Sequence, residues 1–173
     1  MKVIIIVDYQ VDFVSGSLGF PAAPALEEGI ADLVQAYKAA GDRVIFTLDT
    51  HPANYLSTYE GKHLPVPHCV LGTPGHGLYG KLAELTGGCT LLCKPTFGSA
   101  ELLTLLQKEG ANEVLIVGLV TNICVIANAI IAKTALPEAD IVIDAALCSS
   151  FDPKLHEEAL DVLEGLQCKV LNR

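Results

Sequence analysis

Three reactive side chains follow short hydrophobic segments at separate points of the chain. Cys124 lies within GLVTNICV, a segment that continues from the strand pattern EVLIVG through a polar turn. A helix is expected to begin near Cys124. Asp8 follows KVIIIV, and Lys94 follows CTLLC. A charged group at the end of a buried strand is costly unless it has a partner. A thiol at such a position is suited to nucleophilic catalysis, and the two charged residues at other strand ends are candidates for the same site.

Each of these residues also has a structural interpretation. Cys124 could be a buried core cysteine, and Asp8 and Lys94 could form a structural ion pair. A helix N-terminus favours a reactive thiol, because its unpaired N–H groups and the helix dipole lower a thiol pKa and hold an oxyanion. Ligands of open α/β sheets bind at the carboxyl ends of the strands. The three positions together therefore predict one site.

A second set of residues lies in residues 49–77, which are rich in Pro, Gly and His. Asp49 and His51 are two positions apart at a predicted strand end and can point the same way. With His68, and with Glu60 between, they form a set of oxygen and nitrogen donors for Zn²⁺, Mn²⁺ or Fe²⁺. A solvated loop with incidental histidines is the alternative, since exposed His and Asp are common in loops.

Strand and helix patterns alternate along the chain. The expected strands are Lys2–Val7, Arg43–Leu48, Cys89–Cys93, Glu113–Gly118, Asp140–Ile143 and Cys168–Leu171. The expected helices are Leu26–Ala40, Leu78–Leu85, Ser99–Glu109, Ile123–Thr134 and Pro153–Leu163. This order predicts an α/β fold of one domain, residues 1–173, with three α/β/α layers and a Rossmann-like, mainly parallel sheet. No GxGxxG or Walker A sequence follows a strand, which argues against a nucleotide cofactor.

Composition restricts the partners. The chain has 173 residues, half of them hydrophobic, and a net charge of −9, which argues against nucleic acid or an anionic membrane as partner. Polar residues interrupt the apolar stretch Val114–Leu136, so a strand and a buried helix explain it better than a membrane span. Six cysteines in a core-rich chain without a signal-like N-terminus indicate reduced thiols and a cytoplasmic protein.

At this point the chain resembles the isochorismatase-like cysteine hydrolases, and within them the nicotinamidase group. The segments that carry the resemblance are VDYQVDF, LDTH, PHCVLGTPG, KPTFGSA and GLVTNICV, in family order. The resemblance implies that Asp8 takes the thiol proton, Lys94 stabilises the ionised groups and Cys124 attacks. It also implies a cis peptide between Val120 and Thr121, with the N–H groups of Thr121 and Cys124 binding the oxyanion.

The resemblance also assigns a metal site that orients the substrate ring. The ligands that match the family are Asp49, His51 and His68. Some members use a second His shortly after the first and others a Glu. Because Ser57 occupies the approximate place of that His, Glu60 is the expected fourth ligand. His63 and His76 are expected at the surface. Zn²⁺ is the expected ion, with Mn²⁺ or Fe²⁺ as alternatives.

The substrate wall departs from the nicotinamidase pattern. Phe13 matches an aromatic residue that packs on the substrate ring, although it could also be a core residue. Three residues before the metal-binding His, nicotinamidases usually carry Trp or Phe. This chain has Pro65 there, with Leu64 beside it. An aliphatic wall is therefore expected, unless Tyr55 or Tyr59 supplies the ring.

The predicted reaction is hydrolysis of nicotinamide to nicotinate and ammonia through a thioester, a step of pyridine nucleotide and NAD salvage. The first alternative is an amidase for another small carboxamide, an N-carbamoyl compound or a ureide. Further alternatives are a vinyl-ether hydrolase, a non-catalytic binding protein and a thiol redox protein of the same fold. The absence of a CxxC motif from this chain argues against the redox protein. The sparsely charged helix pattern Ile123–Leu136 suggests a homo-oligomer, with intramolecular packing as the other explanation.

Overall fold

The sheet of the computed structural model, which describes residues 1–173, contains six strands. They are β1 (Lys2–Val7), β2 (Arg43–Asp49), β3 (Thr90–Lys94), β4 (Glu113–Leu119), β5 (Asp140–Ser149) and β6 (Lys169–Leu171). Every neighbouring pair is parallel, and the strand order is β3-β2-β1-β4-β5-β6. The direction of winding reverses between β1 and β4. Ligand sites in such sheets lie at the carboxyl ends of the strands beside this reversal.

Six α-helices connect and cover the strands. They are α1 (Val11–Val14), α2 (Glu27–Ala40), α3 (Tyr59–His63), α4 (Ala100–Glu109), α5 (Ile126–Ala135) and α6 (Pro153–Gly165). The side chain of Ser99 accepts a hydrogen bond from Leu102 N and starts α4, and Asp152 caps α6 in the same way. No helix has the length and apolar character needed to cross a bilayer.

The two faces of the sheet bury two separate hydrophobic clusters. Val3, Ile5 and Val7 of β1 pack in the cluster that contains the apolar residues of α4, α5 and α6. Ile4 and Ile6 pack in the other, with α2 and the short segments around it. Successive strand residues point to opposite faces, so a strand covered on both sides needs the continuous apolar run KVIIIV. The predicted three-layer fold is thus confirmed.

Gly118 allows β1 and β4 to approach closely where the winding reverses. Its φ is +118°, and a Cβ atom there would lie 2.2 Å from the carbonyl oxygen of Val7. Any other side chain would separate the strands at the point where Asp8 follows β1.

Several elements differ from the sequence-based prediction. Residues 78–85 contain only a 3₁₀ segment, Gly80–Glu84, because Gly80 has a left-handed φ of +53° that an α-helix does not accommodate. The helix expected from Ile123 is preceded by a π-helical turn, Thr121–Val125, and becomes α-helical at Ile126. Strand β5 continues to Ser149 after a register shift.

Candidate active site

Asp8, Lys94 and Cys124 meet in one buried cluster at the carboxyl ends of the strands. The Lys94 Nζ atom lies 2.6 Å from Asp8 Oδ2 and 3.5 Å from Cys124 Sγ. It also donates to the carbonyl oxygen of Thr96 at 3.0 Å. The register of β2 and β3 pairs Asp49 with Lys94, and Asp49 Oδ1 lies 3.5 Å from the same ammonium group.

The sheet fixes the Asp8 carboxylate directly. Asp8 is fully buried, with a left-handed φ of +47°, which Asp tolerates better than most residues. Its Oδ1 atom accepts a hydrogen bond from Thr47 Oγ1 at 2.6 Å. Its Oδ2 atom is 2.6 Å from the Lys94 ammonium group and has no other polar partner, so it keeps a lone pair available for a proton.

The charges of the cluster depend on burial and on one another. Burial raises the pKa of Asp8 above its ordinary value, although the Lys94 ammonium group and the Thr47 hydroxyl oppose the shift. For Lys94, burial disfavours the charge, but Asp8, Cys124 and Asp49 together hold its pKa above the ordinary value. The cluster therefore combines a fixed cation with a carboxylate that is a stronger base than an exposed one.

The expectation of a lowered thiol pKa is wrong for the structure as it stands. Burial, followed by the Asp8 carboxylate, raises the pKa of the Cys124 thiol well above its ordinary value. Cys124 is the fourth residue of the π-helical turn and precedes the start of α5 at Ile126, so it does not lie at an α-helix N-terminus. These surroundings favour the protonated thiol, with the Asp8 carboxylate close by.

The cis peptide bond before the turn that carries Cys124 lies one residue earlier in the chain than expected. The cis peptide bond joins Leu119 to Val120, not Val120 to Thr121. Leu119 is the last residue paired with β5, and Thr121 already begins the π-helical turn. The carbonyl oxygen of Val120 accepts hydrogen bonds from the N–H groups of Ile123 and Val125.

Asp49, His51, Glu60 and His68 converge as a second cluster. Their ligand atoms all lie within 4.8 Å of one another. His51 Nε2 and His68 Nε2 lie 2.9 Å and 3.3 Å from Asp49 Oδ2, and each lies 3.6 Å from Glu60 Oε1. Asp49, His51 and His68 are buried and Glu60 is half-buried.

The donor set fits a divalent metal ion. Around tetrahedral Zn²⁺, bonds of about 2.0–2.1 Å put neighbouring ligand atoms about 3.3–3.5 Å apart, and three of the four measured separations lie close to that range. His68 Nδ1 lies 2.8 Å from the carbonyl oxygen of Val66. A hydrogen bond from Nδ1–H to this carbonyl leaves the Nε2 lone pair directed into the cluster, as ligating histidines require.

The long loop after β2 supplies His51, Glu60 and His68, three of the four residues of this cluster, and folds around Tyr55. The Tyr55 ring is buried edge-on against His51 and His68, with ring centroids 4.8 Å and 5.0 Å away. Its hydroxyl donates to the carbonyl oxygen of Leu64 at 2.9 Å. Glu60 lies in α3, whose first turn is capped by Thr58. A single aromatic side chain therefore orders the part of the loop that carries two of the donors.

A cavity of about 380 Å³ opens above both clusters. Its wall residues are Phe13, Ser17, Leu18, Gly19, Asp49, Glu60, Leu64, His68, Phe97, Val120, Ile123, Cys124 and Phe151. The volume suits a small molecule. Phe13 and Leu64, the two predicted substrate-binding residues, both line the cavity. The centroid of the Phe13 ring lies 5.4 Å from that of the His68 ring. Most of the wall is apolar, and its polar side chains are Ser17 and three of the predicted metal ligands, Asp49, Glu60 and His68.

Neither Tyr55 nor Tyr59 supplies a ring to the cavity wall. Tyr55 lies behind the histidines, and Tyr59 is 81% exposed and outside the cavity. Phe97 and Phe151 line the cavity instead. Sequence reasoning missed both, although Phe97 follows Lys94 by three residues and Phe151 follows the end of β5, as cavity residues of such sheets do.

The family model of the isochorismatase domain matches residues 2–173 of this chain. The chain belongs to the isochorismatase family. The nicotinamidase/pyrazinamidase of Mycobacterium tuberculosis is 33% identical over 140 residues, which cover 72% of this chain and 75% of that protein. The crystal structure of a nicotinamidase from Bacillus subtilis has a TM-score of 0.87 and 30% identity, with 98% of each chain covered.

A further similar structure contains a metal. The crystal structure of a pyrazinamidase of Pyrococcus horikoshii in complex with zinc has a TM-score of 0.86 and 26% identity, with 99% of each chain covered. The isochorismatase-family identification and the complete sheet agree on the fold that the sequence predicted.

Three buried polar side chains of this isochorismatase-family chain support the site and were also missed. Gln10 accepts from Asp49 N at 2.8 Å and donates to Asp49 O at 2.9 Å. Thr47 binds Asp8, and Asn128 donates to the carbonyl oxygens of Cys124 and Phe97. Such roles depend on tertiary contacts between distant segments, and only their polar type within apolar runs gave a signal.

The remaining histidines differ in exposure. His63 is exposed, and its Nδ1 lies 2.8 Å from the carbonyl oxygen of Tyr59. His76 is half-buried, and its Nε2 lies 2.8 Å from Thr50 Oγ1. Neither belongs to the metal-binding set.

Proposed function

We propose that this chain is a metal-containing cysteine amidohydrolase that converts nicotinamide and water to nicotinate and ammonia. The observation that carries the proposal is the buried contact of Lys94 with both Asp8 and Cys124, beside an apolar cavity of small-molecule size. Relatives that align over most of the chain are a nicotinamidase and a nicotinamidase/pyrazinamidase. Family membership, reactive groups and cavity therefore support the same reaction.

The proposed first half-reaction forms a thioester. The carboxylate of Asp8 takes the proton of the Cys124 thiol, and the sulfur attacks the carboxamide carbon. Lys94 keeps both ionised groups stable in their buried surroundings. Val120 and Cys124 line the cavity, whereas Thr121 does not. We therefore assign the oxyanion to the N–H groups of Val120 and Cys124, in place of the pair predicted from the sequence. The proton on Asp8 then passes to the leaving nitrogen, and ammonia departs.

The second half-reaction hydrolyses the thioester. A water molecule in the cavity gives a proton to the Asp8 carboxylate and attacks the thioester carbon. Collapse of the tetrahedral intermediate expels the Cys124 sulfur, which regains the proton from Asp8. Nicotinate leaves, and the three residues return to their starting protonation states.

Asp49, His51, Glu60 and His68 would hold the metal ion in this proposal. A divalent ion held there would supply Lewis acidity toward the ring nitrogen of the substrate, so that these four residues would help to orient the ring. The two imidazoles with two carboxylates suit Zn²⁺ best and accept Mn²⁺ or Fe²⁺. The zinc in the similar pyrazinamidase structure supports this assignment.

The proposed ring site lies between aromatic walls. Phe13 is close to His68 of the metal cluster, and Phe97 and Phe151 form other parts of the wall. Leu64 makes the remaining wall aliphatic. This aliphatic wall favours one second candidate, an amidase for another small carboxamide, an N-carbamoyl compound or a ureide.

The wider setting follows from the chemistry. A cysteine nucleophile must stay reduced, which favours the cytoplasm, and the reaction would supply nicotinate for NAD salvage. We propose residues 1–173 as one catalytic domain. The homo-oligomer stays a proposal: Ala129, Ala132 and Ala135 of α5 are buried within the chain, and Ile130 is the exposed apolar residue that α5 offers to a subunit contact.

Ammonia release from nicotinamide by the purified protein tests the proposal. The wild type is compared with and without a chelator, beside Cys124→Ala and the control Cys93→Ala, an exposed cysteine outside the cavity. We expect turnover in the wild type and the control, a lower rate after chelation and none in Cys124→Ala. A metal-loaded wild type without turnover would reject nicotinamide as substrate and direct the assay to N-carbamoyl compounds and ureides.

A further inference from the structure

The segment that follows β5 contacts the turn that carries Cys124 at two side chains. His156 Nδ1 in α6 lies 2.8 Å from Thr121 Oγ1. Ser150 Oγ donates to Asn122 Oδ1 at 2.7 Å. Between these two positions, Phe151 lines the cavity. One short stretch of chain thus contacts two consecutive residues of the turn and also forms part of the cavity wall.

Thr121 has little freedom to move on its own. Its side chain is fully buried, and His156 is the hydrogen-bond partner of its hydroxyl. It follows Val120, whose N–H we assign to the oxyanion, and precedes Cys124 by three residues. The carbonyl oxygen of Val120 is held by two N–H groups of the same turn. A displacement of the Thr121 side chain would therefore rotate the whole turn.

The surroundings of His156 favour a neutral ring. Burial lowers the pKa of His156, with Glu157 opposing the shift and Arg173 adding to it. The Nε2 atom lies 4.0 Å from Glu157 Oε1, which favours a proton on Nε2. Nδ1 is then the acceptor and the Thr121 hydroxyl the donor. This hydrogen bond fixes the direction of a side chain that otherwise rotates freely.

We infer that His156 is a positioning residue of the amidohydrolase reaction, which holds Thr121 and thereby aims the backbone N–H groups of the turn at the oxyanion. The inference rests on the proposed function. His156 takes no part in proton transfer, because it does not line the cavity. Ser150 acts in the same way on Asn122 and forms a second point of attachment.

Steady-state kinetics with four variants test the inference. His156→Leu and Thr121→Val each remove the hydrogen bond, and we expect kcat to fall about 10- to 100-fold while KM changes less than about threefold. His156→Asn keeps a hydrogen-bonding atom near the position of Nδ1 and should recover kcat to within about threefold of wild type. The double variant His156→Leu/Thr121→Val should be no slower than the slower single variant.

Controls separate positioning from damage to the fold. Glu158→Gln changes an exposed residue two positions along α6 and should leave kcat and KM unchanged. Thermal unfolding of each variant identifies any that fail to fold. If His156→Leu fails to fold, the kcat values of the two single variants His156→Asn and Thr121→Val test the inference. An active wild type whose kcat is unaltered in His156→Leu, or not recovered in His156→Asn, would overturn this inference alone. A wild type inert toward nicotinamide would overturn the proposed function and the inference with it.

Discussion

Two clusters at the same edge of the sheet are held in different ways. Asp8, Lys94 and Cys124 come from the ends of β1, β3 and the turn after β4, so strand register determines their separations. In the cluster of predicted metal ligands, Asp49 ends β2, but His51, Glu60 and His68 come from the loop that packs around Tyr55. The first cluster therefore depends on the sheet, and the second depends on how the loop closes.

Lys94 is the contact between the two clusters. Its Nζ atom lies 2.6 Å from Asp8 Oδ2 in the first cluster and 3.5 Å from Asp49 Oδ1 in the second. A single ammonium group thus neutralises charge on both sides. Separate readouts for the two clusters, the rate of chemistry and the affinity for metal, can show how far they act independently.

The largest effect is expected for Asp8→Asn, which removes the proposed base and keeps the shape of the side chain. We expect kcat to fall by about 10²–10⁴, as for loss of a general base. Zinc affinity, measured by calorimetry on the same preparation, should stay within about threefold of wild type. A tenfold loss of zinc affinity would show that the two clusters do not act separately.

The reactive cluster could be predicted from sequence because its geometry is regular. Asp8 and Lys94 stand directly after or at the end of apolar strands, and parallel strand ends meet at one edge. The position of the cis peptide bond could not be predicted, because it depends on how far β4 pairs with β5 before the chain turns. The proposed oxyanion assignment depends on which residues of the turn line the cavity, Val120 and Cys124 but not Thr121, and no pattern in the sequence records that.

Loop contacts were harder to predict than strand contacts. The sequence predicts Glu60 as the fourth metal ligand because Ser57 occupies the place of the second His. The structure brings Glu60 close to His51 and His68. The role of Tyr55 in ordering the loop, and of Phe97 and Phe151 in the cavity wall, depends on packing between segments far apart in sequence. No periodic pattern records such contacts.

The second effect concerns the loop-held cluster. His68→Ala removes a donor, and we expect zinc affinity to fall by more than the roughly 10- to 100-fold that loss of a supporting hydrogen-bond partner causes. Alkylation of Cys124 by iodoacetamide should proceed at a rate close to wild type, because His68 does not contact Asp8, Lys94 or Cys124. The control is His63→Ala, an exposed histidine outside the cluster, which should bind zinc normally. Equal losses in both variants would argue against the assigned ligand set.

A smaller effect is expected at the cavity wall that both clusters share. Phe97→Ala and Phe151→Ala each remove an aromatic surface from the proposed ring site, and KM for nicotinamide should rise about three- to tenfold with little change in kcat. Tyr59→Ala, at an exposed ring outside the cavity, provides the comparison. If Tyr59→Ala raises KM as much as the other two, the ring site lies elsewhere.

The smallest effect is expected from Thr47→Val, which tests how the sheet adjusts the base. Thr47 donates to Asp8 Oδ1 and favours the ionised carboxylate, opposing the effect of burial on the pKa of Asp8. Loss of the hydroxyl should raise that pKa further, so more Asp8 is protonated at a given acidic pH. The acidic limb of the kcat/KM profile should therefore move to higher pH. The control is Thr90→Val, at the start of β3, whereas Lys94 is at its end. It should leave the acidic limb at the wild-type pH. If the acidic limb of Thr47→Val is unchanged or moves to lower pH, Asp8 is not the group whose ionisation limits the reaction. Another residue must then be the base, and the proposed separation of roles between the two clusters is wrong.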